Sequence, residues 1–156
     1  MSRVASNACP WSLAYSRAMP TLPFHAGPLT HSPFYVALLF VFVTMLALNT
    51  SRHRLRTHVY FGDGGDEPLR RANRAHGNAI EHVTVIAILL VLLELQGVGK
   101  AWVVAIGTAA LAARVLHAVA FIGKIPRIGR FGVVTTYSLE LLLGVWVAAN
   151  GLGTMR

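Results

Sequence analysis

Four long apolar segments constrain the fold of this chain more than any other feature of its sequence. They run from Phe34 to about Asn49, from near Arg71 to Gln96 with an apolar body from Val83, from Ala101 to Ile122, and from Phe131 to Ala149. A bilayer core about 30 Å thick requires about 20 helical residues, so the first and fourth segments must borrow flanking residues. Only 13% of the residues are charged, against about 25% in soluble domains. The sequence therefore predicts an all-α bundle of four transmembrane helices.

A soluble helical bundle is the alternative, and it would require a polar stripe along each helix. The stretch Phe34–Leu48 carries only Thr44 and the Tyr35 hydroxyl as polar side-chain groups, which argues against it. The net charge of +8 raises the question of nucleic acid. The basic residues lie in loops between apolar segments, however, and no nucleic-acid-binding motif is present, so we predict no nucleic-acid partner.

No metal site is predicted. The single cysteine, Cys9, supports neither an internal disulfide nor a cysteine-based metal site. His76 and His82 are six residues apart and do not share a helix face, so they make a poor metal pair. The acidic residues of the turn-rich loop 62–68 lack the spacing of a calcium-binding loop.

The basic loops predict the orientation of the helices in the membrane. Two connections are rich in basic residues, and the loop between the second and third segments is only Gly97–Lys100. The basic residues are Arg52, Arg54, Arg56, Arg70, Arg71 and Arg74 in the first connection, and Lys124, Arg127 and Arg130 in the third. Short loops rich in Lys and Arg remain in the cytoplasm. We therefore expect the arginine-rich loops to be cytoplasmic and both termini to lie on the opposite side.

The chain divides into three parts by composition. Residues 1–33 contain five of the seven prolines and are interpreted as an irregular N-terminal extension. Residues 34–150 form the predicted membrane domain, and residues 151–156 form a short C-terminal tail.

A cluster of polar residues precedes the apolar body of the second segment. The stretch 74–81 reads Arg-Ala-His-Gly-Asn-Ala-Ile-Glu. Arg74, Asn78 and Glu81 are spaced i, i+4 and i+7, so one helix face presents all three. Ionisable groups at the mouth of a membrane span are costly unless they are paired or face water, and they mark a functional site by default.

The third segment carries a second set of polar residues. Arg114, His117 and Phe121 again share one helix face, and Arg130 lies where the fourth segment begins. Glu81 is the candidate partner of Arg114. Together the segments would gather both signs of charge at one membrane face, which suits a small anionic ligand with an ammonium group, because arginine grips carboxylates through two hydrogen bonds.

Structural roles are open for several of these residues. Arg74 could be an anchor that extends its charge to the membrane surface. A Glu81–Arg114 pair could simply join two helices, and His117 could be a hydrogen-bonded packing residue. Glu140, deep in the fourth segment, is expected to hydrogen-bond across a helix interface.

One further acidic residue, Glu94, lies at the far end of the second segment. The sequence interpretation places it at the membrane edge, in contact with solvent.

The two polar motifs resemble those of a known family. The stretch 74–81 is similar to the signature of the MAPEG proteins (membrane-associated proteins in eicosanoid and glutathione metabolism). The run Arg-Val-Leu-His-Ala-Val-Ala-Phe at 114–121, followed by Gly123 and Lys124, is similar to their third span. With Tyr-Phe-Gly-Asp-Gly-Gly at 60–65, the chain most resembles the bacterial inner-membrane branch. The resemblance covers about residues 33–150.

The resemblance implies a homotrimer of four-helix protomers that binds glutathione between subunits near the cytoplasmic face. Arg130 would stabilise the glutathione thiolate, and, by a looser match, Arg52 or Arg54 would reach a glutathione carboxylate. The remaining glutathione-binding residues would be Arg74, His76, Asn78, Glu81, Arg114 and His117.

The chain departs from the family pattern at three positions. Phe121 stands where the eukaryotic enzymes often have tyrosine, Phe131 follows the catalytic arginine where a serine occurs, and Thr84 replaces a common proline. These changes argue against prostaglandin synthesis.

The expected function is therefore a glutathione transferase or peroxidase that takes a lipophilic small molecule from the membrane lipid. The alternative is a non-catalytic membrane protein that binds a lipid or a partner. A small transporter is less well supported, because broken helices and an inverted repeat are missing.

Overall fold

The computed structural model describes residues 29–154. They form four α-helices: α1 (Ser32–Thr57), α2 (Glu67–Leu95), α3 (Lys100–Ile122) and α4 (Pro126–Thr154). Each is long and apolar enough to cross a membrane, and no strand occurs in this part of the chain. The predicted all-α bundle of four membrane helices is confirmed. Of the predicted N-terminal extension, residues 1–28 lie outside the described residues.

The helices extend beyond the apolar segments that predicted them. Helix α1 continues to Thr57 and α4 begins at Pro126, so both reach a spanning length with polar flanking residues, as expected. Helix α2 begins at Glu67 because Asp66 caps it, accepting a hydrogen bond of 2.7 Å from the backbone N–H of Leu69. Helix α4 continues to Thr154, within the residues that composition assigned to a tail.

Helices α2 and α3 form the centre of the bundle. Leu90 of α2 packs with Val103 and Ile106 of α3 in one cluster of buried side chains, and Ile86 lies in a second cluster with Leu39 of α1. The outer faces of α1 and α4 carry exposed large apolar side chains, including Met45, Leu141, Leu142 and Val145. Because water would penalise such faces, they are suited to contact with lipid.

Helices α3 and α4 approach each other closely at Gly132. A methyl group at this position would lie 2.9 Å from His117 Cβ and 3.1 Å from the Ala113 carbonyl oxygen. Both neighbours belong to the body of α3, so neither can rotate away. The glycine therefore permits the helix contact that places His117 against the start of α4.

Gly132→Ala is expected to destabilise the protein by about 1–3 kcal/mol, because the helices must separate to admit the methyl group. Gly144→Ala is the matched control, since a methyl there meets nothing within 4 Å; it should be neutral or stabilising, as alanine favours helix. Thermal unfolding in detergent measures both. Equal melting temperatures for the two variants would contradict the close contact.

Glu94 holds the beginning of α1 against the end of α2. Its carboxylate accepts hydrogen bonds from the backbone N–H groups of Thr30 (3.1 Å), His31 (2.8 Å) and Ser32 (2.8 Å), and from the Thr30 and Ser32 hydroxyls. The residue is buried. The sequence interpretation of Glu94 as solvated is wrong, because the first N–H groups of a helix lack acceptors of their own and the carboxylate supplies them.

Glu94→Gln is expected to lower the free energy of unfolding by about 2 kcal/mol, because a neutral amide replaces a carboxylate that accepts several charge-assisted hydrogen bonds. Glu67→Gln is the control, since Glu67 is more exposed and its ion pairs with Arg71 and Lys124 should add little. Denaturation in detergent provides the measurement. A larger loss for Glu67→Gln would contradict the assignment.

Candidate functional site

A polar cavity of about 630 Å³ lies between the α1–α2 loop, α2 and the end of α3. The structure brings the predicted face of Arg74, Asn78 and Glu81 to this cavity, together with His117 and Phe121. The remaining lining residues come from the loop and the first turns of α2: Gly62, Asp63, Arg70, Asn73 and Gly77. Two motifs that are separated in sequence therefore line one space.

The α1–α2 loop is held in place over this cavity by Arg54. Its guanidinium donates hydrogen bonds to the carbonyl oxygens of Val59 (3.2 Å) and Tyr60 (2.8 Å), and to Asn73 Oδ1 at 3.1 Å. Asn73 Nδ2 in turn donates to the Gly62 carbonyl at 3.2 Å. Arg54 is thus committed to the loop.

The charges in the polar cavity are partly compensated. Arg70 lies 3.9 Å from Asp63, so these two offset each other. Arg74 and Glu81 are exposed, and within residues 29–154 neither side chain has an ion-pair partner. The cavity consequently offers one guanidinium and one carboxylate to a ligand.

Arg114 lies behind the polar cavity rather than in its wall. It is only 1% exposed, and it donates hydrogen bonds to Asn78 Oδ1 at 2.7 Å and to Thr136 Oγ1 at 3.3 Å. The predicted pairing of Arg114 with Glu81 is wrong. Glu81 is three residues beyond Asn78, which rotates it by about 60° around the helix axis toward the exposed side.

A second cavity, of about 570 Å³, lies between the end of α3 and the start of α4, and its walls are mainly apolar. Of its cations, Arg71 and Lys124 share the carboxylate of Glu67. Arg130 is exposed and, within the described residues, has no ion-pair partner. The lining residues are Arg71, His117, Ala120, Phe121, Lys124, Ile125, Pro126, Gly129, Arg130, Val133 and Val134.

The two cavities adjoin through His117 and Phe121, which line both. The centres of their rings are 6.1 Å apart, and His117 Nδ1 lies 3.4 Å from the Gly129 carbonyl oxygen. The structural role predicted for His117, as a hydrogen-bonded packing residue, is present together with its position in both walls. A molecule in one cavity would therefore be separated from the other by two side chains.

Two predicted ligand-binding residues lie away from these cavities. His76 is partly buried and Arg52 is exposed, and neither lines the polar or the apolar cavity. A role for either in the same site would require a partner subunit or a rearrangement of the cytoplasmic ends of the helices.

The sequence interpretation missed the pairing of His82 with Glu140. His82 Nδ1 lies 2.7 Å from Glu140 Oε1, and the Tyr137 ring meets His82 edge-on at 5.0 Å. The predicted hydrogen bond of Glu140 across a helix interface is confirmed. His82 follows Asn78 by four residues and so lies on nearly the same face, which is the signal that could have identified it.

Within residues 29–154, no group of three or more His, Cys, Asp or Glu side chains could hold a metal ion.

Four apolar helices with polar residues gathered at one end define a class of integral membrane proteins. The MAPEG family model matches residues 32–150, which is most of the chain, and this chain belongs to the MAPEG family.

Two curated relatives are bacterial. The inner membrane protein YecN of Escherichia coli strain K12 is 32% identical over 113 residues, covering 72% of this chain and 86% of YecN. YecN of the O6:H1 strain of Escherichia coli matches with the same identity and coverage.

Proposed function

We propose that this protein binds glutathione in the polar cavity and joins its sulfur to a lipophilic electrophile held in the apolar cavity. The observation that carries the proposal is the pair of adjoining cavities of opposite character, with Arg130 in the apolar one and His117 and Phe121 between them. The family is associated with glutathione and eicosanoid metabolism, which supports the choice of thiol.

The charges of the polar cavity suit glutathione, which carries two carboxylates and one ammonium group at neutral pH. Arg74 would grip a carboxylate through its planar fork of donors, and Glu81 would hold the ammonium group. Asn78 would add a hydrogen bond. Both charged residues have no ion-pair partner in the described part of the chain, so no existing pair has to be broken when the ligand binds.

Arg130 would act on the sulfur. A free thiol has a pKa of about 8.5, so only a few per cent is thiolate at neutral pH, and the thiolate is the nucleophile. A guanidinium beside the sulfur favours the anion and lowers the thiol pKa. The thiolate then forms a carbon–sulfur bond as the leaving group departs with its electron pair, and the thiol proton goes to solvent. With a hydroperoxide, the thiolate would instead attack the terminal oxygen, break the O–O bond and release the alcohol, which leaves a sulfenic acid on glutathione. A second glutathione would convert that sulfenic acid to the disulfide and water.

The proposed assembly is a homotrimer in the bacterial inner membrane, with the arginine-rich loops in the cytoplasm and both termini on the opposite side. The arginines at the helix ends that flank the α1–α2 and α3–α4 connections support the orientation, and the name of the YecN relatives supports the membrane. Cytoplasmic loops would open the polar cavity to the cellular glutathione pool.

A second candidate is a non-catalytic membrane protein that binds a lipid or a partner. The apolar lining of the second cavity and the exposed Phe131 beside Arg130 favour it, because they suit an acyl chain that undergoes no reaction. Thiolate formation distinguishes the two candidates.

The experiment is a titration of the purified protein in detergent with glutathione, followed by calorimetry and by the ultraviolet absorbance of the thiolate. S-methylglutathione, which cannot ionise at sulfur, serves as the optical control. Saturable binding with a thiol pKa at least one unit below that of free glutathione is the expected result. Binding without a lowered thiol pKa would favour the non-catalytic protein, and undetectable binding at millimolar glutathione would refute the proposal.

A further inference from the structure

A buried polar network lies behind the polar cavity, where α2, α3 and α4 meet. Arg114 of α3 donates from Nη2 to Asn78 Oδ1 on α2 and from Nη1 to Thr136 Oγ1 on α4. The Thr136 hydroxyl in turn donates a hydrogen bond to the Gly132 carbonyl oxygen at 2.7 Å. Arg114 lines neither cavity, whereas Asn78 lines the polar one. Any effect of Arg114 on a ligand in that cavity would therefore pass through Asn78.

The contact with Arg114 determines which way the Asn78 carboxamide faces. A guanidinium has only hydrogen-bond donors, so the Asn78 atom 2.7 Å away must be the oxygen. The nitrogen, with two N–H groups, then occupies the other position. The Asn78 nitrogen makes no hydrogen bond within residues 29–154. The only buried side-chain polar atoms without a partner there are Thr50 Oγ1 and Arg114 Nε, so Asn78 Nδ2 is accessible.

The charge of Arg114 is balanced by a nearby acid that does not bind it directly. Glu140 is the carboxylate whose charge acts on Arg114. Its Oε1 lies 2.7 Å from His82 Nδ1. A guanidinium stays protonated in proteins and has only donors, so the Asn78 atom that Arg114 contacts remains an acceptor.

We propose that Arg114 is a positioning residue that holds Asn78 with its amide N–H groups toward the polar cavity. The cavity would then select ligands that present a hydrogen-bond acceptor, a carboxylate or a peptide carbonyl, at this position. The inference rests on the proposed function for its ligand, glutathione, and it assigns Arg114 an indirect role in place of direct contact with glutathione.

A double-mutant cycle tests the coupling. Glutathione affinity is measured by calorimetry for the parent, Asn78→Ala, Arg114→Met and the double variant, all full-length in detergent. We expect each single substitution to weaken binding about tenfold. In the Asn78→Ala background, Arg114→Met should weaken it less than about twofold. An equal loss in both backgrounds would overturn the proposal.

Two further variants separate positioning from a loss of folding. Arg114→Lys keeps the positive charge and an ammonium group that can donate to Asn78, so it should retain most of the affinity. It provides the test if Arg114→Met fails to fold. Thr136→Val removes the other acceptor of Arg114 and leaves Asn78 intact. Its expected change in affinity is less than about twofold, whatever its effect on melting temperature. A tenfold loss in Thr136→Val would mean that the whole network, and not the facing of Asn78, controls binding.

The orientation of Asn78 can also be tested without glutathione. In protein labelled with ¹⁵N at asparagine, the side-chain amide signals of Asn78 are those missing from Asn78→Ala. We expect them to exchange readily with water in the parent and to shift in Arg114→Met. Amide protons protected from water would overturn the inference. If the parent fails to bind glutathione while these protons exchange readily, the proposed function fails and the orientation stands.

Discussion

Arg130→Ala is expected to bind glutathione almost as tightly as the parent but to leave it as the thiol. Arg130 lines the apolar cavity and not the polar one, so its loss should spare the contacts that hold the peptide. Removing the guanidinium should raise the pKa of the bound thiol by at least one unit, equivalent to about 1.4 kcal/mol. The thiolate fraction at neutral pH would fall about tenfold, and conjugation would slow at least as much.

The control for Arg130→Ala is Arg127→Ala. Arg127 is exposed on the first turn of α4, three residues earlier, and lines neither cavity. The two variants lose the same charge from the same end of α4, so a long-range effect on the thiol would appear in both. Stopped-flow mixing with a chromogenic electrophile, together with the absorbance titration, gives rate and pKa. A thiol pKa as low as the parent's in Arg127→Ala, together with a raised one in Arg130→Ala, would identify the contact. Identical profiles for the two would exclude it.

Arg130→Lys separates charge from geometry. Lysine keeps the positive charge but carries it as a single ammonium group without the planar fork of donors. If charge alone favours the thiolate, Arg130→Lys should retain a lowered thiol pKa. A thiol pKa as high as that of Arg130→Ala would show that the fork of donors is required.

The number and type of the helices follow from sequence because they depend on properties of contiguous residues. A run of apolar side chains of spanning length allows few alternatives in a membrane. The ends of the helices were less predictable, since they depend on local caps and polar flanks. Asp66 starts α2 four residues before the apolar pattern suggested, and α1 continues through polar residues to Thr57.

The site was predictable along one helix and less so between helices. The spacing of Arg74, Asn78 and Glu81 placed them on one face, and all three line the polar cavity. The partner of Arg114 depended on how α2 and α3 are rotated against each other, which sequence spacing does not specify. Position along the membrane alone suggested Glu81, whereas rotation brings the Asn78 oxygen to the guanidinium.

Glu94 illustrates a contact between distant parts of the chain. Its partners, Thr30 to Ser32, are more than sixty residues away in sequence, and three of the hydrogen bonds that it accepts come from backbone N–H groups, which no residue type predicts. A carboxylate at the end of a membrane helix is ordinarily expected to face solvent. Only the packing of α1 against α2 brings the N–H groups of Thr30, His31 and Ser32, at and just before the start of α1, within reach and makes burial favourable.

Glu81→Gln is expected to weaken glutathione binding by about tenfold to a hundredfold, because a neutral amide replaces the only carboxylate of the polar cavity without an ion-pair partner in the described residues. A hydrogen bond to a charged group contributes about 1.5–3 kcal/mol. Thermal unfolding should change little, since Glu81 is exposed and holds no structural partner. Asp63→Asn is the control within the same cavity, because Asp63 already faces Arg70.

The ligand side of this contact can be removed as well. A glutathione analogue in which hydrogen replaces the amino group of the γ-glutamyl residue lacks the ammonium that Glu81 is proposed to hold. It should bind the parent about as weakly as glutathione binds Glu81→Gln, and the substitution should weaken the analogue no further. If Glu81→Gln weakens the analogue and glutathione by the same factor, Glu81 does not contact the ammonium group. In that case Arg74 would be the remaining charged contact, and the polar cavity would select anions without regard to their amino groups.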